Sequence, residues 1–279
     1  TGIRTVVRRF GQKCLKDITS NRRKERKMVR VIMHGCNGVM GQVITKMAKD
    51  MDGLTIVAGI DLKNDKENGY PVYPSLEECK EEADVVVDFA SPKAADHLMD
   101  FCAEKKLGLV LCTTGLSEAQ IKKVKETAEK TAVLRSANMS LGVNLLLKLV
   151  QDAAKVLAGA GFDIEIVEKH HNQKKDAPSG TALALADSMN EALGDQYHYV
   201  YDRSSVHEKR DPKEIGIASV RGGSIVGDHD VIFAGKDEVI TFNHTAYSKA
   251  IFAKGALEAA KFLAGKEPRL YDMSDVVQL

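Results

Sequence analysis

"MVRVIMHGCNGVMGQVITKM", residues 28–47, runs from a β-branched, apolar stretch through a glycine turn into an amphipathic segment. The strand pattern stops at Gly35, after which Val39, Met40, Val43, Ile44 and Met47 recur at helical spacing. Between the two, Gly35, Gly38 and Gly41 stand three residues apart. Strand, glycine turn and helix in this order give G-x-x-G-x-x-G its meaning. Gly35 permits a tight turn, Gly38 lets backbone approach a pyrophosphate, and Gly41 lets helix and strand pack closely. The phosphates then rest on the helix N-terminus, where unpaired N–H groups and the helix dipole favour negative charge. Asp61 lies 20 residues beyond Gly41, at the end of the second strand pattern "LTIVAGID", where it can accept hydrogen bonds from adenosine ribose hydroxyls. A glycine turn without a ligand is the competing reading, and an acid at this distance counts against it. Asp61 repels a 2′-phosphate and Lys63 can neutralise one, so NADH is the expected cofactor, with NADPH tolerated.

Working outward, "ADVVVDFAS", "LGLVLCTTG" and "AVLRSAN" read as strands, nearly continuous in apolar residues as doubly covered strands are. "PKAADHLMDFCAEKK" and "SEAQIKKVKETAEKT" read as the helices between them, the second with Ser117 placed to cap it. Such alternation requires crossovers feeding a parallel sheet, so this half is doubly wound α/β. "NMSLGVNLLLKLVQDAAKVL" is a long helix bridging into a second domain. There "FDIEIVEKHH" is a strand and "SGTALALADSMNEAL" a helix. The run of strands in "IGIASVRGGSIVGDHDVIFAGKDEVITFNHTAYS" points to an antiparallel or mixed sheet with one open face. A closing helix, "KAIFAKGALEAAKFLAG", is expected to pack back on the first domain.

The totals fit this plan. A chain of 279 residues suits two domains, and 44% hydrophobic with 28% charged residues describes an ordinary globular protein. Five cysteines are scattered with no CxxC pair, which argues against structural zinc or disulfides and for a reducing cytoplasm. No apolar run approaches the roughly 20 residues of a membrane helix, so no membrane partner is expected. The net charge of +1 conceals ten Lys or Arg against Asp17 and Glu25 in residues 1–27, a local +8 that leaves −7 for the remainder. Met28 stands directly before the first strand, so residues 1–27 read as a basic leader outside the fold. A targeting peptide, which would direct the chain to a plastid, and a nucleic-acid arm are the alternatives. The negative body argues against nucleic acid as a partner.

The chemistry concentrates in "EKHHNQKKDAPSGTALA", residues 168–184. It is not a metal site: His170 and His171 are adjacent and point to opposite faces of a strand, and no Cys or carboxylate completes a tetrahedral set. It reads instead as an anion cradle. Ser179, Gly180 and Thr181 stand at a helix start, where N–H groups and two hydroxyls can hold a carboxylate. Pro178 fixes the approach, Lys174 and Lys175 supply charge, and Arg221 of "VRGGS" joins them if that turn folds nearby. A substrate with two carboxylates explains the excess of cations, and a histidine can donate a proton beside a hydride acceptor. A solvated basic turn is the bland alternative. It leaves a dinucleotide fold without a substrate site.

At these residues the chain resembles the dihydrodipicolinate reductase family of lysine biosynthesis. The resemblance covers Met28 to Leu279 and rests on "HGCNGVMG", "CTTG", "SANMSLGVN", "EIVEKHHNQKKDAPSGTA", "SVRGGSIVGDH" and "LYDMSDVV". It implies hydride transfer to ring C4 of a small dicarboxylate, with proton delivery at C3. His170 is the implied acid and Lys174 its cationic partner, while His171, Lys174, Gly180 and Thr181 hold the carboxylates. Gly35, Cys36, Asn37, Gly38, Val39, Met40, Asp61, Cys112, Thr113, Thr114, Ser136, Ala137, Asn138 and Met139 line the implied dinucleotide site; no metal is implied. The implied fold is a Rossmann-type domain from residues 28–141 and 251–279, with an inserted α+β domain, 142–250, whose mixed sheets join four subunits. Cys112 replaces a glycine of the family pattern, Met139 a phenylalanine, and Leu62 an arginine of some relatives, which weakens the case for NADPH. A side chain at 112 is expected to crowd the nicotinamide, and Lys249, where arginine is usual, is expected to be a surface change only. Another two-domain imine or amino-acid dehydrogenase, such as diaminopimelate dehydrogenase, leaves H-H-x-x-K unexplained. A non-catalytic dinucleotide sensor is the third reading.

Overall fold

The computed structural model describes residues 28–277; the basic stretch 1–27, expected to be a leader, lies outside them. Seven strands form one parallel sheet: β1 (Val29–His34), β2 (Leu54–Ile60), β3 (Val72–Tyr73), β4 (Val85–Asp88), β5 (Gly108–Leu111), β6 (Ala132–Leu134) and β12 (Arg269–Tyr271). Their order is β12-β6-β5-β4-β1-β2-β3. Side chains alternate across a strand, and the continuous apolar runs therefore feed two cores. Val31, Met33, Val85 and Val87 pack beneath α1 (Val39–Ala48) and α6 (Ala250–Leu263). Ile32, Val86, Leu109 and Leu111 pack on the other face, against α2 (Pro92–Lys105) and α3 (Glu118–Ala128). Ser117 caps α3 as expected, in a reciprocal box with Gln120.

The second sheet has five strands: β7 (Asp163–His170), β8 (His198–Val200), β9 (Glu214–Arg221), β10 (Gly227–Ala234) and β11 (Val239–Ala246). Their order is β11-β10-β7-β9-β8. β10 runs antiparallel to β7 and β11, while β7 and β8 run parallel to β9, so the sheet is mixed. Its covered face buries Ile164, Ile166, Ile215, Ile217, Val231 and Phe233 against α4 (Leu141–Leu157) and α5 (Gly180–Ala192). The opposite face is open, with Ala218, Val220 and Val239 exposed on it. The doubly wound parallel sheet and the mixed sheet are thus both present. The strands β3, β8 and β12 and the short α7 (Met273–Val277) span two to five residues, too few for a periodic signal to betray them.

Among the described residues no helix is long and apolar enough to cross a membrane, and no group of His, Cys, Asp and Glu is arranged to hold a metal ion.

Candidate functional site

The glycine turn carries the features a dinucleotide needs. Gly35 has φ +80°, and a side chain there would meet the Ala90 backbone at 3.0 Å. A Cβ at Gly41 would lie 2.2 Å from the Gly35 carbonyl oxygen, so the helix can close on the turn only with glycine there. The N-terminus of α1 has no side-chain cap, which leaves its first N–H groups free of side-chain competition. The Asp61 carboxylate accepts the Asn37 N–H at 2.9 Å, and the Asn37 side chain donates to the Lys63 carbonyl. The turn and the acid are thereby fixed to one another. They line a cavity of about 550 Å³ together with Leu62, Lys63 and Lys66. Cys36 is fully buried in the core, so only its main chain is available to this cavity. Burial first, and then the charge of Asp61, push its thiol up to about 11.

Residues 112–114 and 136–139 line a second cavity of about 400 Å³, with Met40, Lys249 and Phe252. Cys112 is on its wall. The Thr113 hydroxyl is buried there without a partner among the described residues, an opening for a polar ligand. A third, smaller cavity of about 190 Å³ is lined by His170, His171, Thr181, Gly227, His229 and His244. Asn138, Lys249 and Phe252 belong to both the second and the third, and the Asn138 amide donates to the Thr181 hydroxyl at 3.1 Å. The expectation that Lys249 is only a surface change therefore needs correction. Its side chain is exposed, yet it stands where the two cavities join.

Beneath the third cavity lies Glu168, fully buried on β7. Arg221 donates to both its oxygens, at 2.8 and 2.7 Å. The Ser179 N–H donates to one at 3.0 Å, and His170 Nδ1 lies 2.6 Å from the other. Burial by itself raises this carboxyl, but hydrogen bonds from Arg221, Ser219 and His170 outweigh it and hold it down at about 2. Arg221 does fold near the cradle. Its guanidinium, however, faces Glu168 and the Asp176 carbonyl (2.7 Å), so it braces the cradle from behind. Lys174 donates to both carboxylate oxygens of Asp176 at 2.8 Å and is not on the cavity wall. The Ser179 hydroxyl caps α5 by accepting the Ala182 N–H at 3.1 Å and also meets His229 Nε2 at 2.9 Å. Of the two hydroxyls expected to hold a carboxylate, only that of Thr181 is on the wall. Gly180 stands with nothing within 4 Å of where a Cβ would be.

Glu168, His229 and His244 were not read from sequence. The available signal was parity: His229 shares the covered face of β10 with Val231 and Phe233, and a polar residue at such a position calls for an explanation. His244 lies directly across the ladder from it. Burial, then the neighbouring His170 and His244, pull His229 down to about 4 from the ordinary 6.5, so it is neutral at physiological pH.

Residues 29–139 match the family model described as dihydrodipicolinate reductase, N-terminus, and residues 142–277 the one described as dihydrodipicolinate reductase, C-terminus. The 4-hydroxy-tetrahydrodipicolinate reductase of Caldanaerobacter subterraneus subsp. tengcongensis is 55% identical over 251 residues, covering 90% of this chain and 99% of that relative. Its counterpart from Clostridium tetani is 48% identical over 246 residues, 88% and 96% of the two chains. Among solved structures, a dipicolinate-bound dihydrodipicolinate reductase from Paenisporosarcina sp. TG-14 superposes with a TM-score of 0.75 at 25% identity, covering 89% of this chain and 98% of that one.

The lowered His229 has a consequence for stability. Its folded value lies below its unfolded one, so as pH falls the unfolded chain takes up the proton first. The stabilisation is complete above about 6.5 and lost between there and about 4. Chemical unfolding is expected to reveal a loss on the order of 2 kcal/mol from pH 7 to pH 5 attributable to this group, and a shallower pH dependence in His229→Gln. Identical pH slopes in the two proteins would contradict the assignment.

Proposed function

The chain belongs to the dihydrodipicolinate reductase family, and on that premise we propose that it reduces 4-hydroxy-tetrahydrodipicolinate, using a nicotinamide dinucleotide and the cradle at the start of α5. The observation carrying this reading is the junction of the cavities: Asn138, Lys249 and Phe252 wall both the space beside residues 112–114 and the space beside His170 and Thr181. A reducible ring held in the smaller cavity lies next to whatever occupies the larger.

In this reading residues 35–40 and Asp61 hold the pyrophosphate and adenosine ribose, and residues 112–114 and 136–139 surround the nicotinamide, which supplies hydride when bound. The N–H groups of Gly180 and Thr181, with His171, receive one substrate carboxylate at the positive end of the helix dipole. Lys174 serves as the cationic partner after exchanging Asp176 for a substrate carboxylate. His170 delivers the proton. Asp61 favours NADH by repelling a 2′-phosphate, and Lys63 and Lys66 on the same cavity wall make NADPH acceptable. Residues 28–141 with 251–279 form the dinucleotide domain, and 142–250 the substrate domain. The open face of the mixed sheet, with Val220 46% and Val239 61% exposed, is the surface through which four copies associate.

The test is loss of reduced-nicotinamide absorbance with substrate generated in situ. Turnover is expected with NADH and, less efficiently, with NADPH. His170→Gln and Lys174→Ala are each expected to lower kcat by about 100-fold or more, with NADH affinity within a few-fold of wild type. Binding of dinucleotide without turnover in the wild-type protein would overturn the reading. A kcat/KM about ten-fold higher for NADPH would overturn the cofactor preference alone.

A further inference from the structure

We propose that Glu168 is the positioning residue for proton delivery: its buried carboxylate holds the His170 ring by Nδ1, so that Nε2 alone faces the substrate cavity and exchanges the proton. The inference deepens the proposed function and rests on His170 as its acid. Glu168 and His170 are two residues apart on β7 and share one face, and their side chains meet at 2.6 Å. Arg221, opposite His170 in the β7–β9 register, clamps both carboxylate oxygens. An ionised carboxylate only accepts hydrogen bonds, so Nδ1 must carry a proton whether the ring is neutral or charged. Nε2 is then the nitrogen left free to exchange a proton with the cavity.

The other edge of the ring is kept clear. A Cβ on Gly227 would stand 3.1 Å from His170 Nε2, so this glycine preserves the room into which Nε2 opens, on the wall that also carries His171 and Thr181. The same Glu168 carboxylate accepts the Ser179 N–H at the start of α5. Acid and carboxylate cradle are therefore tied to one group, and their separation is fixed before substrate arrives. In the step itself the Nε2–H bond breaks and a C–H bond forms on the substrate. The electron pair stays on Nε2, the ring is left neutral with its Nδ1 proton in place, and solvent reprotonates Nε2.

The experiment is nitrogen-15 imidazole NMR of the full chain without substrate, at a pH where imidazoles are neutral, alongside steady-state kinetics. The wild-type His170 ring is expected as the Nδ1–H tautomer. In Glu168→Gln the amide can donate as well as accept, so the tautomer is expected to shift toward Nε2–H. There kcat should fall by about 100-fold while NADH affinity stays within about two-fold. An Nε2–H tautomer in the wild-type protein overturns the proposal without any variant, and so does wild-type kcat in Glu168→Gln. The tautomer measurement needs no turnover. A wild-type protein that shows the Nδ1–H tautomer and no reductase activity would refute the proposed function while leaving the Glu168–His170 geometry standing.

Discussion

One buried carboxylate, that of Glu168, organises the cavity beside His170. Glu168 takes two hydrogen bonds from Arg221, one from the Ser179 N–H and one from His170, and so joins β9, the start of α5 and the end of β7. A charge taken fully out of water costs several kcal/mol unless it is paired and hydrogen-bonded. Here the donors include Arg221, the Ser179 N–H and His170, which come from three different elements. Removing one partner would leave a buried charge short of its donors, so the cradle's geometry and its electrostatics stand or fall together.

The two sheets meet this arrangement from different directions. The parallel sheet, covered on both faces, ends its strands beside the glycine turn and residues 112–114, which is where open α/β sheets bind ligands. The mixed sheet keeps one face for α4 and α5 and turns three histidines toward the cavity beneath them. His170 and His229 meet edge to face at 5.2 Å between ring centroids. His229 stays neutral because burial and its neighbours disfavour its charge. Asn138 donates to Thr181 and lines both the cavity beside residues 112–114 and the one beside His170.

The glycine turn was legible in the sequence because its constraints are local. A positive φ at Gly35 and the close approach at Gly41 act within a few residues, and Asp61 follows one strand later. The start of α5 was legible for the same reason, since Ser179 caps within three residues. Arg221 was placed near the cradle but with the wrong partner: its contact with Glu168 spans 53 residues and depends on the parallel register of β7 and β9, which no local pattern specifies. His229 reaches Ser179 across 50 residues for the same kind of reason. Lys249 looked peripheral because a lysine in place of the usual arginine, at the first residue of a helix pattern, carries no local sign of what it faces. Its place at the junction of two cavities arises from how α6 returns to the parallel sheet.

The most direct measurement is a crystal structure of the protein with NADH and dipicolinate, a planar dicarboxylate. The expected result is one carboxylate on the N–H groups of Gly180 and Thr181, with the ring beside His170 Nε2 and the nicotinamide against residues 112–114. Dipicolinate bound away from the cavity shared by His170 and Asn138, or a dinucleotide seated elsewhere than on the Gly35 turn, would contradict the account.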